Sequence, residues 1–316
     1  MSTQAKTTNA AMLFPGQGSQ SVGMGKDFYD NTEYPSCRAL FDEADAILGR
    51  KLTDLIFNGP MEELTQTQNT QPALFVVEAV ITEVLFVRGV VPMCTAGHSL
   101  GEYSALYAAG VISFADGARL VAARGEAMAA AGLANPGVMA AVLGMERDKI
   151  AEVISQVRSG IVVTANENAP EQTVISGESA AVGEACELLK ASGAKRAMLL
   201  PVSGAFHSPL MRPAAEKLAA ALESVKFSAP RCPVIANVTA KPETDPSVLK
   251  ELLIKQLISP VRWVDSMAAL SELSPERCLE VGPGAVLKGL VKKCVPEMNI
   301  LSCDGVNNVY SLLDLN

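Results

Sequence analysis

A chain of 316 residues, 49% hydrophobic and only 5% aromatic, can bury a sizeable core as one large domain or two smaller ones. Its richness in Ala, Val and Leu suits a helix-covered α/β sheet, and its net charge of −8 argues against general nucleic-acid or anionic-membrane binding. The seven cysteines (37, 94, 186, 232, 278, 294 and 303) form no C-x-x-C pair and are odd in number, which favours free thiols in a reducing compartment over a disulfide scaffold.

The opening MSTQAKTTNA is polar and lacks the apolar core of a secretory signal. Residues 1–10 are expected to be disordered, and their composition fits a native start, a tag remnant or a transit-peptide stub equally. Met12 to Pro15 reads as a strand entering the Gly-rich loop PGQGSQSVGMG. CRALFDEADAILG and PALFVVEAVITEVLFVRG follow with apolar residues at helical spacing. The second is the most apolar run, but Glu78 and Glu83 interrupt it, so it reads as a buried helix and not a membrane span. VVPMCTAG reads as a buried strand, SLGEYSALYAAG as a helix, and residues 115–131 as a second helix that carries Arg124.

The rhythm then changes. GVMAAVLG, IVVTAN, QTVISG and KRAMLLPV read as strands, with RDKIAEVISQVR and SAAVGEACELLKASG as helices. The order β-α-β-β-α-β is the ferredoxin-like pattern. The expected fold is therefore α/β: a large α/β-hydrolase-like domain with a parallel sheet, residues 1–131 and 204–316, carrying an inserted small ferredoxin-like domain, residues 132–203. CPVIAN and RCLEV supply later strands of the large domain.

Gly97-His98-Ser99-Leu100-Gly101 is G-x-S-x-G, placed between a strand and a helix as a nucleophile elbow requires. A serine hydroxyl needs a neighbouring base, and histidine is the usual one near neutral pH. The chain has two histidines. His98 sits inside the elbow, where the side chain beside the nucleophile points away, which leaves His207 in VSGAFHSPLM. With two histidines, no H-E-x-x-H and no cysteine cluster, a metal site is a poor competitor. The loop at 16–25 is either a plain turn or a source of backbone N–H groups for an oxyanion hole. An α/β-hydrolase would place its histidine late in the chain, whereas a long stretch follows His207. Arg124 is either an ordinary surface arginine or, facing the pocket, a bidentate partner for an acyl group that carries a free acid.

FPGQGSQ, GHSLGEYSAL, RGEAM, GAFHSPLM, KQLISPVRW and LEVGPG, in this order, closely resemble the malonyl-CoA:acyl carrier protein transacylases of type II fatty acid synthesis. They also resemble the acyltransferase domains of polyketide and animal-type fatty acid synthases, from about residue 12 to 294. The resemblance implies transfer of malonyl from malonyl-CoA to the phosphopantetheine thiol of acyl carrier protein through a malonyl-serine, in ping-pong fashion. It makes Ser99 the nucleophile and His207 the general base and acid. The main-chain oxygen of Gln256 orients the imidazole, and the backbone N–H groups of Gln17 and Leu100 form the oxyanion hole. Arg124 binds the malonyl carboxylate, Phe206 excludes an α-methyl group, and Asn166 lines the thioester cleft; His98 is left a positioning role at most. No metal or prosthetic group is implied.

Because carrier proteins are acidic and this chain is also negative, docking needs a local basic patch. Lys190, Lys195 and Arg196 form one candidate cluster and Lys288, Lys292 and Lys293 another; Lys195, Arg196, Lys292 and Lys293 are the favoured docking residues, against the plain alternative of solvated helix faces. The expected partners are malonyl-CoA and acyl carrier protein, with no nucleic acid and no membrane, for a monomer. The expected compartment is the cytoplasm of a bacterium or an organelle matrix such as the plastid stroma. A serine esterase or thioesterase, and a catalytically silent carrier-protein-binding module, remain the rival readings.

Overall fold

The computed structural model describes residues 9–314. Its strands in chain order are β1 (Ala10–Phe14), β2 (Pro92–Gly97), β3 (Val138–Leu143), β4 (Val162–Ala169), β5 (Gln172–Gly177), β6 (Arg196–Leu199), β7 (Val234–Ile235), β8 (Pro242–Glu243), β9 (Arg277–Val281) and β10 (Ile300–Cys303). They form a mixed α/β structure with two separate sheets.

The larger sheet has the order β10-β9-β1-β2-β7-β8, parallel throughout except for the antiparallel β7–β8 pair. Strand β1 lies at its centre and is buried on both faces, as parallel strands covered by helices are. Side chains alternate along it: Met12 and Phe14 enter one apolar core, with the helices Thr67–Val87 and Phe114–Ala134, while Ala11 and Leu13 enter another around Trp263 and Leu287. The helix Thr67–Val87 is long and apolar enough to cross a membrane, yet 83% of its most apolar stretch is buried inside this fold.

The smaller sheet has the order β4-β5-β3-β6 and is antiparallel at every pair. The helices Arg147–Ile154 and Ser179–Ala191 cover one face of it, through Ala140, Val142 and Ile175. Its chain order is strand, helix, strand, strand, helix, strand. A bridge from Asn166 to Val261 joins this sheet to the segment leading out of the helix Pro246–Gln256.

Several boundaries differ from the sequence reading. Ala10 already belongs to β1, paired with Pro92 and Arg277, and the carbonyl of Asn9 accepts from Glu276 N at 2.9 Å. The expected disorder therefore does not extend to residues 9 and 10, and residues 1–8 lie outside the described range. The helix at 72 starts five residues earlier, at Thr67, and keeps Pro72 within it. The ring removes a donor to the carbonyl of Gln68, which accepts instead from Arg50 Nη2 at 3.0 Å, and the surrounding burial outweighs the rest of the cost. CPVIAN contributes only the two residues Val234–Ile235, because Pro233 cannot donate to a ladder and the side chain of Asn237 is drawn to the elbow.

Candidate active site

The site lies where β2 ends, at the carboxyl edge of the parallel strands, where open α/β sheets bind ligands. The chain turns from β2 into the helix Gly101–Ala108 within three residues, and Ser99 takes the left-handed φ of 53°. Both flanking glycines are obligatory. A Cβ on Gly97 would lie 1.9 Å from the carbonyl of Gly101, and one on Gly101 would lie 2.1 Å from the carbonyl of Phe14. Asn237 clamps the turn, accepting from Ser99 N at 2.8 Å and donating to the carbonyl of Gly97 at 2.6 Å.

Ser99 Oγ lies 2.7 Å from His207 Nε2, and His207 Nδ1 lies 2.9 Å from the main-chain oxygen of Gln256. A carbonyl can only accept, so Nδ1 carries the proton and Nε2 is free to accept from the serine. His207 also has a left-handed φ, 56°, and is 3% exposed. Burial, and then the Arg124 cation, push its imidazole down from 6.5 to about 3. It is therefore a neutral base at every pH near 7.

Arg124, on the helix Phe114–Ala134, is fully buried at 1% exposure and is not the surface arginine of the plainer reading. Its guanidinium donates to Gln71 Oε1 at 2.8 Å, Gln256 Oε1 at 2.9 Å and Ser99 Oγ at 3.1 Å. Among the described residues no carboxylate makes an ion pair with it. A desolvated cation at the serine hydroxyl, hydrogen-bonded only to neutral oxygens, has the chemistry to receive an anionic group.

The chain matches the model of the acyl transferase domain over residues 11–309. It belongs to the acyl transferase domain family. It is 50% identical over 285 residues to the malonyl CoA-acyl carrier protein transacylase of Bacillus subtilis, covering 90% of this chain and 89% of that one. It is 43% identical over 310 residues to the same-named protein of Escherichia coli K12, covering 98% and 100%. Among solved structures, an acyl carrier protein S-malonyltransferase from Vibrio cholerae superposes with a TM-score of 0.93 at 43% identity, covering 96% of this chain and 100% of that one. A malonyl-transacylase in complex with its type II polyketide acyl-carrier protein gives 0.92 at 41% identity, covering 97% and 99%.

In this acyl transferase domain a cleft between the two sheets opens above Ser99, lined by Gln17, Leu100, Arg124, Asn166, Phe206 and His207, all singled out from the sequence. Among the described residues the backbone N–H groups of Gln17 and Leu100 find no hydrogen-bond acceptor, while the Gln17 side chain donates to Thr67 Oγ1 at 3.4 Å. Phe206 is 6% exposed and shares the wall with Met128, Met139 and Val174. His98 also lines this cleft, with Nε2 2.7 Å from Asn168 Oδ1 and its ring edge-on to Trp263.

Sequence reading missed Asn168, which lines the cleft beside Asn166, and Gln71, Glu102 and Asn237, which hold Arg124, Gln256 and the elbow. The repeated asparagines of TANENAP, two apart on one strand, were the available signal for Asn168.

The two lysine clusters partly converge. Lys195 and Lys293 line one surface groove of about 440 Å³ with Leu143, Glu171 and Gln172. Lys195 Nζ lies 3.7 Å from Glu171 and Lys293 Nζ donates to Gln172 Oε1 at 2.8 Å. The groove begins at Ala169, one residue after Asn168 of the cleft. Arg196 is exposed nearby on β6. Lys292 instead donates to the carbonyls of Pro296 and Met298, at 3.2 and 2.8 Å, tying down its own helix end.

Proposed function

We propose that this protein moves malonyl from malonyl-CoA to the phosphopantetheine thiol of acyl carrier protein, as an acyl-carrier-protein S-malonyltransferase feeding fatty acid synthesis. Ser99 Oγ attacks the thioester carbon while His207 Nε2 takes its proton. The oxyanion rests on the N–H groups of Gln17 and Leu100. The C–S bond breaks, and CoA leaves as a thiol with the proton from His207. The carrier-protein thiol then gives its proton to His207 and attacks the malonyl ester, and Ser99 leaves reprotonated. Gln256 holds the imidazole through its carbonyl, and Arg124 pairs with the malonyl carboxylate. Phe206 closes the space an α-methyl would need, and Asn166 borders the thioester arm. Both half-reactions balance without a metal or prosthetic group.

The observation that carries this reading is the contact of one hydroxyl with both a neutral histidine and a buried guanidinium. We read the larger sheet and its helices, residues 1–131 and 204–316, as an α/β-hydrolase-like catalytic domain, and residues 132–203 as a ferredoxin-like insertion. The strand order β4-β5-β3-β6 supports the second assignment. The carrier protein docks over the groove of Lys195 and Lys293, with Arg196 beside it. The protein acts as a monomer, away from membranes and nucleic acids, and its bacterial relatives favour the cytoplasm over a plastid stroma. The test is CoA release from malonyl-CoA with and without carrier protein. Transfer gives release beyond one equivalent only when carrier protein is present; sustained release without it means a thioesterase.

A further inference from the structure

We propose that Glu102 is a positioning residue of this transfer: its carboxylate holds the Gln256 side chain, and through it the carbonyl on which His207 rests. The inference rests on the reading of Ser99 and His207 just given. Glu102 stands in the first turn of the helix Gly101–Ala108, three residues after the nucleophile, and is 1% exposed. Its Oε2 accepts from Gln256 Nε2 at 2.6 Å and from Asn237 N at 3.2 Å. Gln256 Nε2 also donates to the carbonyl of Ser99 at 2.9 Å, and Gln256 Oε1 accepts from Arg124 at 2.9 Å. Every polar atom of that amide is therefore committed, and only one orientation of it satisfies a carboxylate, a carbonyl and a guanidinium together.

Gln256 is the last residue of the helix Pro246–Gln256, so its own carbonyl lacks an i+4 partner and takes only a long bond from Ser259 N, at 3.4 Å. That leaves the oxygen free for His207, but a helix end frays unless it is tied down. The tie is the side chain of the same residue, gripped by Glu102 from the elbow helix. Asn237, the second donor to Glu102, is the residue that clamps Ser99 N. One carboxylate thus joins the elbow, the end of the helix that orients the histidine, and the arginine's amide partner. A role limited to balancing the charge of Arg124 would not need these two hydrogen bonds.

The two roles separate experimentally. Glu102→Gln removes the charge and keeps an oxygen for Gln256 and Asn237. Glu102→Asp keeps the charge and withdraws the oxygen by one methylene. Glu102→Ala removes both. The readouts are steady-state kcat and KM for malonyl transfer, and the rate at which phenylmethylsulfonyl fluoride labels Ser99, which needs no carboxylate at Arg124. A misplaced base costs roughly ten- to a hundredfold. Glu102→Ala and Glu102→Asp are expected to lose at least about tenfold in both kcat and labelling with KM nearly unchanged, and Glu102→Gln to regain most of it. Combining Glu102→Asp with Gln256→Ala is expected to cost no more than Gln256→Ala alone. Equal losses in Glu102→Gln and Glu102→Ala, wild-type kcat in Glu102→Asp, or additive losses in the double variant would overturn the inference. Should Glu102→Ala fail to fold, the Asp and Gln variants carry the test unaided. Wild-type protein that is not labelled at Ser99 would instead overturn the functional reading beneath it.

Discussion

Arg124 touches Ser99: the guanidinium Nη2 lies 3.1 Å from the hydroxyl Oγ that His207 also holds. On the proposed mechanism, a cation buried this deeply beside Ser99 selects what that serine can be acylated with. Arg124→Ala should reduce malonyl-CoA acylation far more than acetyl-CoA acylation. Truncating one partner of a buried charge pair costs about 2–5 kcal/mol, so the malonyl loss should be at least about thirtyfold. Equal losses on both substrates, measured as kcat/KM, would make Arg124 a structural residue.

The same arginine shapes the pH dependence. Burial first, and the Arg124 charge second, depress His207 to about 3 from 6.5. The value of kcat/KM for malonyl-CoA should therefore stay level as pH falls through 6.5, with no histidine limb there. Because the folded pKa is depressed, His207 contributes stability that is fully present above pH 6.5 and is lost as pH falls through about 3. Urea unfolding of His207→Gln against wild type should thus show a gap that changes only on the acid side. Burial pushes the Glu102 carboxyl up to about 7, so only an acid limb near pH 6.5 that persists in Glu102→Gln would mean the imidazole is solvated in the working enzyme.

Phe206 shares the cleft wall with Met128, Met139 and Val174. Replacing its ring by a small polar side chain opens room beside the acyl group. One methyl group in such a pocket is worth about 1–3 kcal/mol. Phe206→Ser should raise the methylmalonyl-to-malonyl ratio of kcat/KM by roughly tenfold or more. An unchanged ratio would remove the steric explanation.

Much of this site was legible in the sequence because its chemistry is local. G-x-S-x-G fixes its own backbone, and both glycines are demanded by contacts under 2.5 Å. His207 could be reached because there were only two histidines to choose from. The carbonyl of Gln256 has no side-chain signature at all, and only the resemblance of KQLISPVRW to a known family pointed to it. Glu102 and Asn237 were missed for a different reason: their partners are 154 and 138 residues away. A buried carboxylate one turn from a catalytic serine reads from sequence as an ordinary helix residue. The fold shows the same division. Strands with β-branched or small apolar runs were found, while the early start of the helix at Thr67 was hidden behind Pro72, where tertiary burial overrides a local rule.

Docking over the basic groove, as proposed, is separable from catalysis. Reversing Lys195 and Arg196, or Lys293, to glutamate should raise the KM for carrier protein several-fold and leave acylation by malonyl-CoA nearly intact. Added salt should weaken wild-type transfer more than that of the variants, since exposed charges are screened over about 8–10 Å. Lys292 should behave differently, because its ammonium ties two carbonyls of its own segment. Lys292→Glu should lower thermal stability more than it raises the carrier-protein KM. Reversed proteins that transfer as well as wild type at low salt would place docking elsewhere.

The central claim is that Ser99 carries the malonyl group between its two thiols, and intact-protein mass spectrometry after brief exposure to malonyl-CoA tests it most directly. Wild-type protein should gain one malonyl group, lose it when carrier protein is added, and carry it on Ser99 in the digested peptide. Ser99→Ala should gain none. A malonyl adduct that persists in Ser99→Ala, on any of the seven cysteines or elsewhere, would contradict the mechanism.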